Sequence, residues 1–333
     1  MKKAFLLIIL FSFISLSSQA FELENVEKIG NINIDVALTA YVIYDRGITY
    51  YDASSLVSIS KNAEPIGFSL VGGAYYLPVV GIGILKTTTY TDLFSTLPIA
   101  YVELVPIRGL SLQFGKLSTL IGYESAFTYL NNHIQRGLVW NMQPLIHSGV
   151  RLVYTTDLLF VKIGINDGFY SLVTTPKPAI EATLGLTLID NLSISFNIHI
   201  PDGSSIINTK EFNSVISYIV GDLSFGADLV YVESPKDSTS ATAIGGAAHL
   251  SYFFKPFKIS GRIEYVQDNP DIEGVDLIGL GDKNKGLTLT LTPSYIQGPL
   301  LFRLEISYVN AENPFIDDNK DQTRFGLEVG LLF

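Results

Sequence analysis

The stretch LSISFNIHI, residues 192–200, alternates without a break. Leu192, Ile194, Phe196, Ile198 and Ile200 share one parity, and Ser193, Ser195, Asn197 and His199 hold the other. A side-chain period of two belongs to a β-strand with two different faces. Just upstream, Ile180, Ala182, Leu184, Leu186 and Leu188 form one face of another strand, and the intervening Asp190-Asn191 pair suits a tight hairpin. The chain closes the same way in TRFGLEVGLLF, 323–333, where Phe325, Leu327, Val329, Leu331 and Phe333 oppose Arg324, Gly326, Glu328 and Gly330.

This pattern recurs in sixteen segments, near 31–44, 65–76, 79–86, 97–105, 109–117, 148–156, 158–166, 178–189, 192–200, 212–220, 223–232, 242–254, 257–267, 285–296, 300–309 and 323–333. The third and fourth carry the weakest pattern. The links between them alternate. Short ones read LPV, PIRG, TTD, DN, GD, KPF and QGP; long ones cover 45–64, 87–96, 118–147, 167–177, 201–211, 233–241, 268–284 and 310–322. A soluble sandwich has no reason to keep that order. An outer-membrane barrel does, with tight turns on the periplasmic side and longer loops outside. The expected fold is all-β, a transmembrane antiparallel barrel of sixteen strands whose termini are periplasmic.

Alternation alone does not say which face is outside, because a sandwich core and a lipid-facing wall look alike. The aromatic residues decide it. On the apolar parity Tyr44, Tyr231, Tyr265 and Tyr308 lie beside long links, and Tyr154, Tyr218, Tyr252, Phe254, Tyr295 and Phe333 beside short ones or the terminus. Two rings at the two strand ends form the girdles of a membrane barrel. The other parity holds Asp35, Glu103, Arg151, Lys162, Glu181, Asp228, Lys258, Arg262, Glu264, Arg303, Glu305, Arg324 and Glu328, six basic and seven acidic groups. So many charges in a dry core would each cost several kcal/mol unless paired. A water-filled lumen removes the problem, and sixteen strands are enough to enclose one.

Composition agrees. Hydrophobic residues make up 47% and charged residues 16%, against about a quarter charged in soluble domains. The uncharged run IGFSLVGGAYYLPVVGIGIL, 66–85, contains five glycines and Pro78, and so reads as two strands around a turn rather than a membrane helix. Lys2, Lys3, an apolar stretch from Ala4 to Ile14, and Ser18 and Ala20 mark residues 1–20 as a signal peptide cut after Ala20. Residues 21–333 are then one barrel. The chain has no cysteine, which excludes disulfides and a lipidated N-terminal cysteine. A formal charge of −10, with no basic cluster, argues against nucleic acid.

The longest loop, LSTLIGYESAFTYLNNHIQRGLVWNMQPLIH, 117–147, is too apolar for a plain solvent loop. It holds the single Trp140 with Phe127, Tyr129, Leu130, Ile134, Leu138 and Val139. The barrel interior is the nearest surface for it to pack on. As a third long loop folded into the lumen it would narrow a pore, with Lys116, Glu124, His133, Arg136 and His147 at the constriction selecting solutes by charge and size. An outward loop packed on its neighbours or on another subunit is the other reading. Ser195 and His199 are two residues apart on the lumen parity, but nothing completes a triad and no catalytic residue is assigned. Asp317, Asn319 and Asp321 have the spacing of a calcium loop, yet Gln322 stands where the turn needs Gly and Glu328 belongs to the last strand. No metal or cofactor is expected. The acidic links 268–284 and 310–322 mildly favour cations.

The strings FGKLSTLIGYES, NNH, MQPLIHSGVRLVY and INDGFY resemble outer-membrane porins of the OmpL-like β-barrel family. The family pattern falls on Gly115, Lys116, Gly122, Glu124, Asn131, Asn132, Pro144, His147, Gly149, Asn166 and Gly168, with Asp167 inserted before Gly168 and Phe169 where Trp is usual. The resemblance covers roughly residues 110–170. It implies a passive pore in the outer membrane of a Gram-negative-type bacterium, and a terminal Phe333 read by the barrel-assembly machinery. The expected function is diffusion of small hydrophilic solutes or ions past Arg151, Lys162, Asp228, Arg262, Glu264, Arg303, Glu305, Arg324 and Glu328. Expected partners are outer-membrane lipid, that machinery, the solutes and further copies in a homotrimer. The glycine-rich strands around Gly67, Gly72, Gly73, Gly81 and Gly83 would supply the trimer contact. A barrel lipase or protease, or an adhesive barrel with a plugged lumen, are the alternatives.

Overall fold

A run of alternating threonine and leucine shows how the wall is built. In 287–292 the inward Thr288, Thr290 and Thr292 are 0–4% exposed and the outward Leu287, Leu289 and Leu291 are 40–45% exposed. Branched and aromatic residues favour this pleated backbone, and the parity sends each to its own side. The computed structural model describes residues 21–26, 30–87, 95–168, 177–201, 209–234, 241–270 and 275–333. The signal peptide expected at 1–20 lies outside these residues.

The strands are β1 (Phe21–Val26), β2 (Gly30–Asp45), β3 (Ile48–Lys61), β4 (Ile66–Ala74), β5 (Tyr76–Val79), β6 (Gly83–Lys86), β7 (Ile99–Ile107), β8 (Leu110–Ser118), β9 (Ile146–Thr155), β10 (Leu159–Asn166), β11 (Ala179–Ile189), β12 (Leu192–Ile200), β13 (Lys210–Val220), β14 (Leu223–Glu233), β15 (Ala241–Phe254), β16 (Phe257–Pro270), β17 (Lys285–Gln297), β18 (Leu300–Ala311) and β19 (Asp321–Leu332). Sixteen of them form the wall in the order β2-β3-β4-β7-β8-β9 and on through β10 to β19, each antiparallel to the next. β19 returns to β2, with Arg324 opposite Asp45 and Leu332 opposite Ala37, and the barrel is closed. The seam ends in a reciprocal pair of 2.8 Å backbone bonds between Val36 and Phe333. Closure removes both sheet edges. β1 pairs with residues 30–34 of β2, beyond the reach of β19.

Two sequence expectations need correction. Residues 45–64 were to be a long link, but they hold β3, joined to β2 by the two-residue turn Arg46-Gly47. Its inward Asp52, Ser54, Ser58 and Ser60 face the lumen, and its outward row runs through small Ala53 and Ser55, so its alternation is faint. Residues 79–86 were to be a wall strand. Instead β5 and β6 form a separate two-stranded hairpin. Leu77 and Val79 there are fully buried, because the hairpin sits inside the barrel. One strand missed and one misplaced leave the total at sixteen. Short and long links alternate everywhere except at the first.

The outer parity is exposed all round. Tyr44, Tyr265 and Tyr308 mark the loop end of the strands; Tyr154, Tyr252 and Phe254 mark the turn end. Tyr252, Phe254, Phe257 and Tyr295 form a continuous ring contact with centroids 5.4–5.9 Å apart. The expected Asp190-Asn191 hairpin is present, with Asn191 at φ 93°. The flat glycine surface is not. Gly81 and Gly83 belong to the inner hairpin, and Gly67 is inward and buried; a Cβ there would come within 2.5 Å of the Lys61 carbonyl oxygen.

Candidate functional site

The loop from β8 to β9, residues 119–145, lies inside the barrel. Its packing explains why. The inner wall is not polar throughout: Leu56, Ile99, Leu301 and Leu332 point inward and pack with Phe127, Trp140 and the hairpin residues Tyr75, Leu77 and Val79. A second apolar cluster joins Leu138, Val139 and Met142 of the loop to Val80, to Val230, Val266 and Val309 of the wall, and to Ile278 and Leu280 of the link before β17. Burial of these side chains drives the loop inward, at roughly 1.5–3 kcal/mol for each large one. The short helix α1 (Leu138–Asn141) places Leu138, Val139 and Trp140 in the two clusters.

The inner hairpin fixes the loop from one side. Arg136 N–H donates to the Pro78 carbonyl at 2.9 Å, and Val80 N–H to the Arg136 carbonyl at 3.0 Å. The charged wall fixes it from the other. Glu305 accepts from the backbone N–H of Ile134 at 2.5 Å and of Gln135 at 3.1 Å, from Gln135 Nε2 at 2.9 Å and from the Thr292 hydroxyl at 3.0 Å. Arg303 donates to the carbonyls of Thr128, Asn131 and His133, and pairs with Glu328. Arg262 pairs with Glu124 of the loop at 2.5 Å and with Glu264 at 3.2 Å, and donates to the Gln135 carbonyl. Asp228 accepts from Tyr123 N–H and Gln143 Nε2, both at 2.9 Å. Lys258 donates to Asn132 Oδ1 at 2.5 Å.

The five residues expected at the constriction separate into three kinds. Glu124 and His133 join the loop to the wall. His133 Nδ1 meets the Thr292 hydroxyl at 2.7 Å. That hydroxyl spends its proton on Glu305, so the imidazole carries hydrogen on Nδ1. Burial first, then the Arg262 guanidinium, holds the His133 pKa well below its ordinary value, and the ring is neutral. Arg136 instead turns back into its own loop. It donates to the carbonyls of Ser125 and Ala126 and to Thr128 Oγ1, and stands 5.3 Å over the Trp140 ring. It is fully buried, and its geometry is that of a loop-shaping group. Lys116 and His147 lie on the flanking strands: Lys116 reaches Ser95 Oγ at 3.0 Å, and His147 Nδ1 reaches the Gly168 carbonyl at 2.9 Å.

The lumen residues named from parity all point inward, and most of them are paired. Arg151 binds Glu181 at 2.7 Å and Arg324 binds Asp45 at 2.9 Å. Lys162 lies 5.8 Å over the Phe160 ring. The loop and the wall together satisfy charges that parity alone would have left to water. Sequence reading missed Asp45, Gln135 and Gln143, whose roles depend on partners far along the chain, and it missed the apolar inner patch, because Leu301 and Leu332 read only as breaks in a polar row. Ser195 and His199 are not joined. Ser195 Oγ accepts from Asn197 Nδ2, and His199 Nδ1 faces the Thr209 carbonyl. Among the described residues no cluster of three His, Asp or Glu groups is arranged to hold a metal ion. Asp317 of the expected calcium-like loop pairs with Arg46 at 3.8 Å.

A closed sixteen-strand wall with an apolar outside, aromatic girdles and a loop threaded through the lumen defines an outer-membrane porin-type barrel. The chain matches, over residues 32–333, the family described as "Putative beta-barrel porin-2, OmpL-like". It belongs to that family and is an outer-membrane porin of the Gram-negative type. Solved structures agree in fold. The trimer form of OmpT from Vibrio cholerae is 14% identical with a TM-score of 0.58, covering 91% of this chain and 99% of that one. OprD from Pseudomonas aeruginosa is 14% identical with a TM-score of 0.54, covering 96% and 98%. An anion-selective porin from Comamonas acidovorans is 9% identical with a TM-score of 0.64, covering 91% and 99%. At such identities the likeness is one of fold. No curated protein matches the chain.

Proposed function

We propose that small hydrophilic solutes and ions cross this barrel passively, and that loop 119–145 sets the width of the passage. The observation that carries this is the line of bonds from the loop to Asp228, Lys258, Arg262, Glu264, Arg303 and Glu305 on β14 to β18. The loop is held against that half of the wall. The solute route then runs past Lys116, Arg151 and Lys162 on β8 to β10. A catalytic role finds no support in the separated Ser195 and His199. The trimer form of a similar barrel supports a homotrimer here. With Gly81 and Gly83 inside, its contact would use the outward small residues Ala40, Ala53 and Ser55 instead. Residues 1–20 would direct export, and the barrel-assembly machinery would engage the last strand at Phe333, beside its seam with β2.

Single-channel recording in planar bilayers tests the reading. Folded protein should give stepwise currents in KCl. Folded protein that inserts and passes no current would remove it. Cross-linking in detergent that returned only monomer would remove the trimer.

A further inference from the structure

The loop's bonds leave one level of the inner wall with a surplus of acceptors. Glu211 is the second residue of β13, points inward and is fully buried. The register sets His199 of β12 on one side of it and Val232 of β14 on the other. Neither carboxylate oxygen of Glu211 has a hydrogen-bond partner, and the Thr209 hydroxyl, two residues before it, is in the same condition. On the far side of His199 stands Glu181. One of its oxygens takes Arg151, and the other has no hydrogen-bond partner. His147 adds to this level. Its Nδ1 lies 2.9 Å from the Gly168 carbonyl, and its Nε2, 3.7 Å from Glu181 Oε2, has no hydrogen-bond partner.

The Glu211 carboxylate, one Glu181 oxygen and the Thr209 hydroxyl are all left without a hydrogen-bond partner. Of the nearby cations, Arg151 is committed to Glu181 and to the Ser118 carbonyl, and Lys162 lies over the Phe160 ring. A buried carboxylate without a donor is held at a cost, which a ligand rich in N–H donors would relieve. The acceptors are spread over β11 to β13 and do not converge on a point. No three His, Asp or Glu groups among the described residues are arranged for a metal ion. A spread row suits divergent N–H donors, and a guanidinium forks onto both oxygens of one carboxylate.

The geometry points to a binding station for organic cations, carrying an ammonium or guanidinium group, at Glu211 on the inner wall near the loop end of β11 to β13. It rests on the passive-pore reading, and gives that pore a preferred solute class. Cationic solutes pause at Glu211 with Glu181 and Thr209 as second contacts, while inorganic ions pass.

The test uses the full-length protein in planar bilayers in KCl, with L-arginine as probe and L-glutamate as comparison. Arginine should interrupt the current of the wild type and glutamate should not. Glu211→Gln keeps the shape and removes the charge; it should shorten each interruption by about tenfold, the loss of one charge-assisted contact, with KCl conductance unchanged. Thr209→Val, which keeps the volume, should shorten them less, and serves if Glu211→Gln does not fold. Asp318→Asn, on an outer loop, should change nothing. Arginine interruptions of equal length in wild type and Glu211→Gln would overturn the station while leaving the pore intact. So would interruptions by Zn2+ alone with none by arginine. A folded wild type without any KCl current would overturn the pore and the station together.

Discussion

Replacing Glu305 by Ala strikes the bond set that ties the loop's middle to the wall. The carboxylate accepts two backbone N–H groups, at Ile134 and Gln135, and the Gln135 amide, all from the loop. A hydrogen bond to a charged group contributes about 1.5–3 kcal/mol. Three of them are not additive, and the loss of one partner in a buried charged network costs about 3–5 kcal/mol. That range corresponds to a hold on residues 134–135 weaker by roughly two to three and a half powers of ten. The apolar clusters around Trp140 and Leu138, and the Arg303 and Arg262 contacts, remain. The loop therefore stays in the barrel, still tied to β18 through Arg303, but residues 134–135 loosen from the wall. Single-channel recordings of Glu305→Ala should show larger mean conductance and more open-channel noise than wild type. Glu305→Gln, which keeps an acceptor, should fall between them. Folding is checked by heat-modifiable migration on gels. A folded Glu305→Ala barrel with wild-type conductance and noise would refute the claim that this bond set fixes the passage.

Three further outcomes follow from the same geometry. A Cβ built on Gly326 lies 4.0 Å from Ile134 Cβ, within the usual disulfide range of about 3.5–4.5 Å, and the chain has no native cysteine. The pair Ile134→Cys and Gly326→Cys should cross-link on oxidation and quieten the channel; a pair that stays reduced in folded protein would place the loop elsewhere. At Gly137 a Cβ would come within 1.8 Å of Glu264 Oε1, a carboxylate held in place by Val139 N–H and the Thr288 hydroxyl. Gly137→Ala should displace the loop there, break the Gly137 N–H bond to Glu124 and expose Arg136 to trypsin; an uncut loop in this variant would contradict the packing. Trp140→Ala removes the centre of one inner cluster and the ring beneath Arg136. It should destabilise by about 3–5 kcal/mol, read as a lower temperature of conversion on gels, and an unchanged temperature would count against an apolar core inside the barrel.

How much of this was legible beforehand differs from element to element. The hairpins from β9 to β19 were read almost residue for residue, because each pairs with its sequence neighbour and each carries the two-residue period on both faces. β3 was not, because a strand with serines inside and small residues outside has little contrast between faces. Residues 79–86 have the composition of a strand and form one, but composition does not say that its partner is β5 within the lumen rather than a neighbour in the wall.

The sequence by itself determined most of the wall: the hairpins from β9 to β19, their inside and outside parity, and the girdles, with the inward turn of an apolar loop as one of two readings. These follow from local periodicity and from the cost of burying charge in lipid, which every residue registers at its own position. Only the tertiary structure decided what the inside is made of. Glu124 meets Arg262 across 138 residues, Glu305 meets Ile134 across 171, and Arg324 meets Asp45 across 279. Those partners exist because closure of the barrel brings distant strands to one level, and no local pattern carries that information. The same closure turns Leu301 and Leu332 from breaks in a polar row into the floor on which the loop is docked.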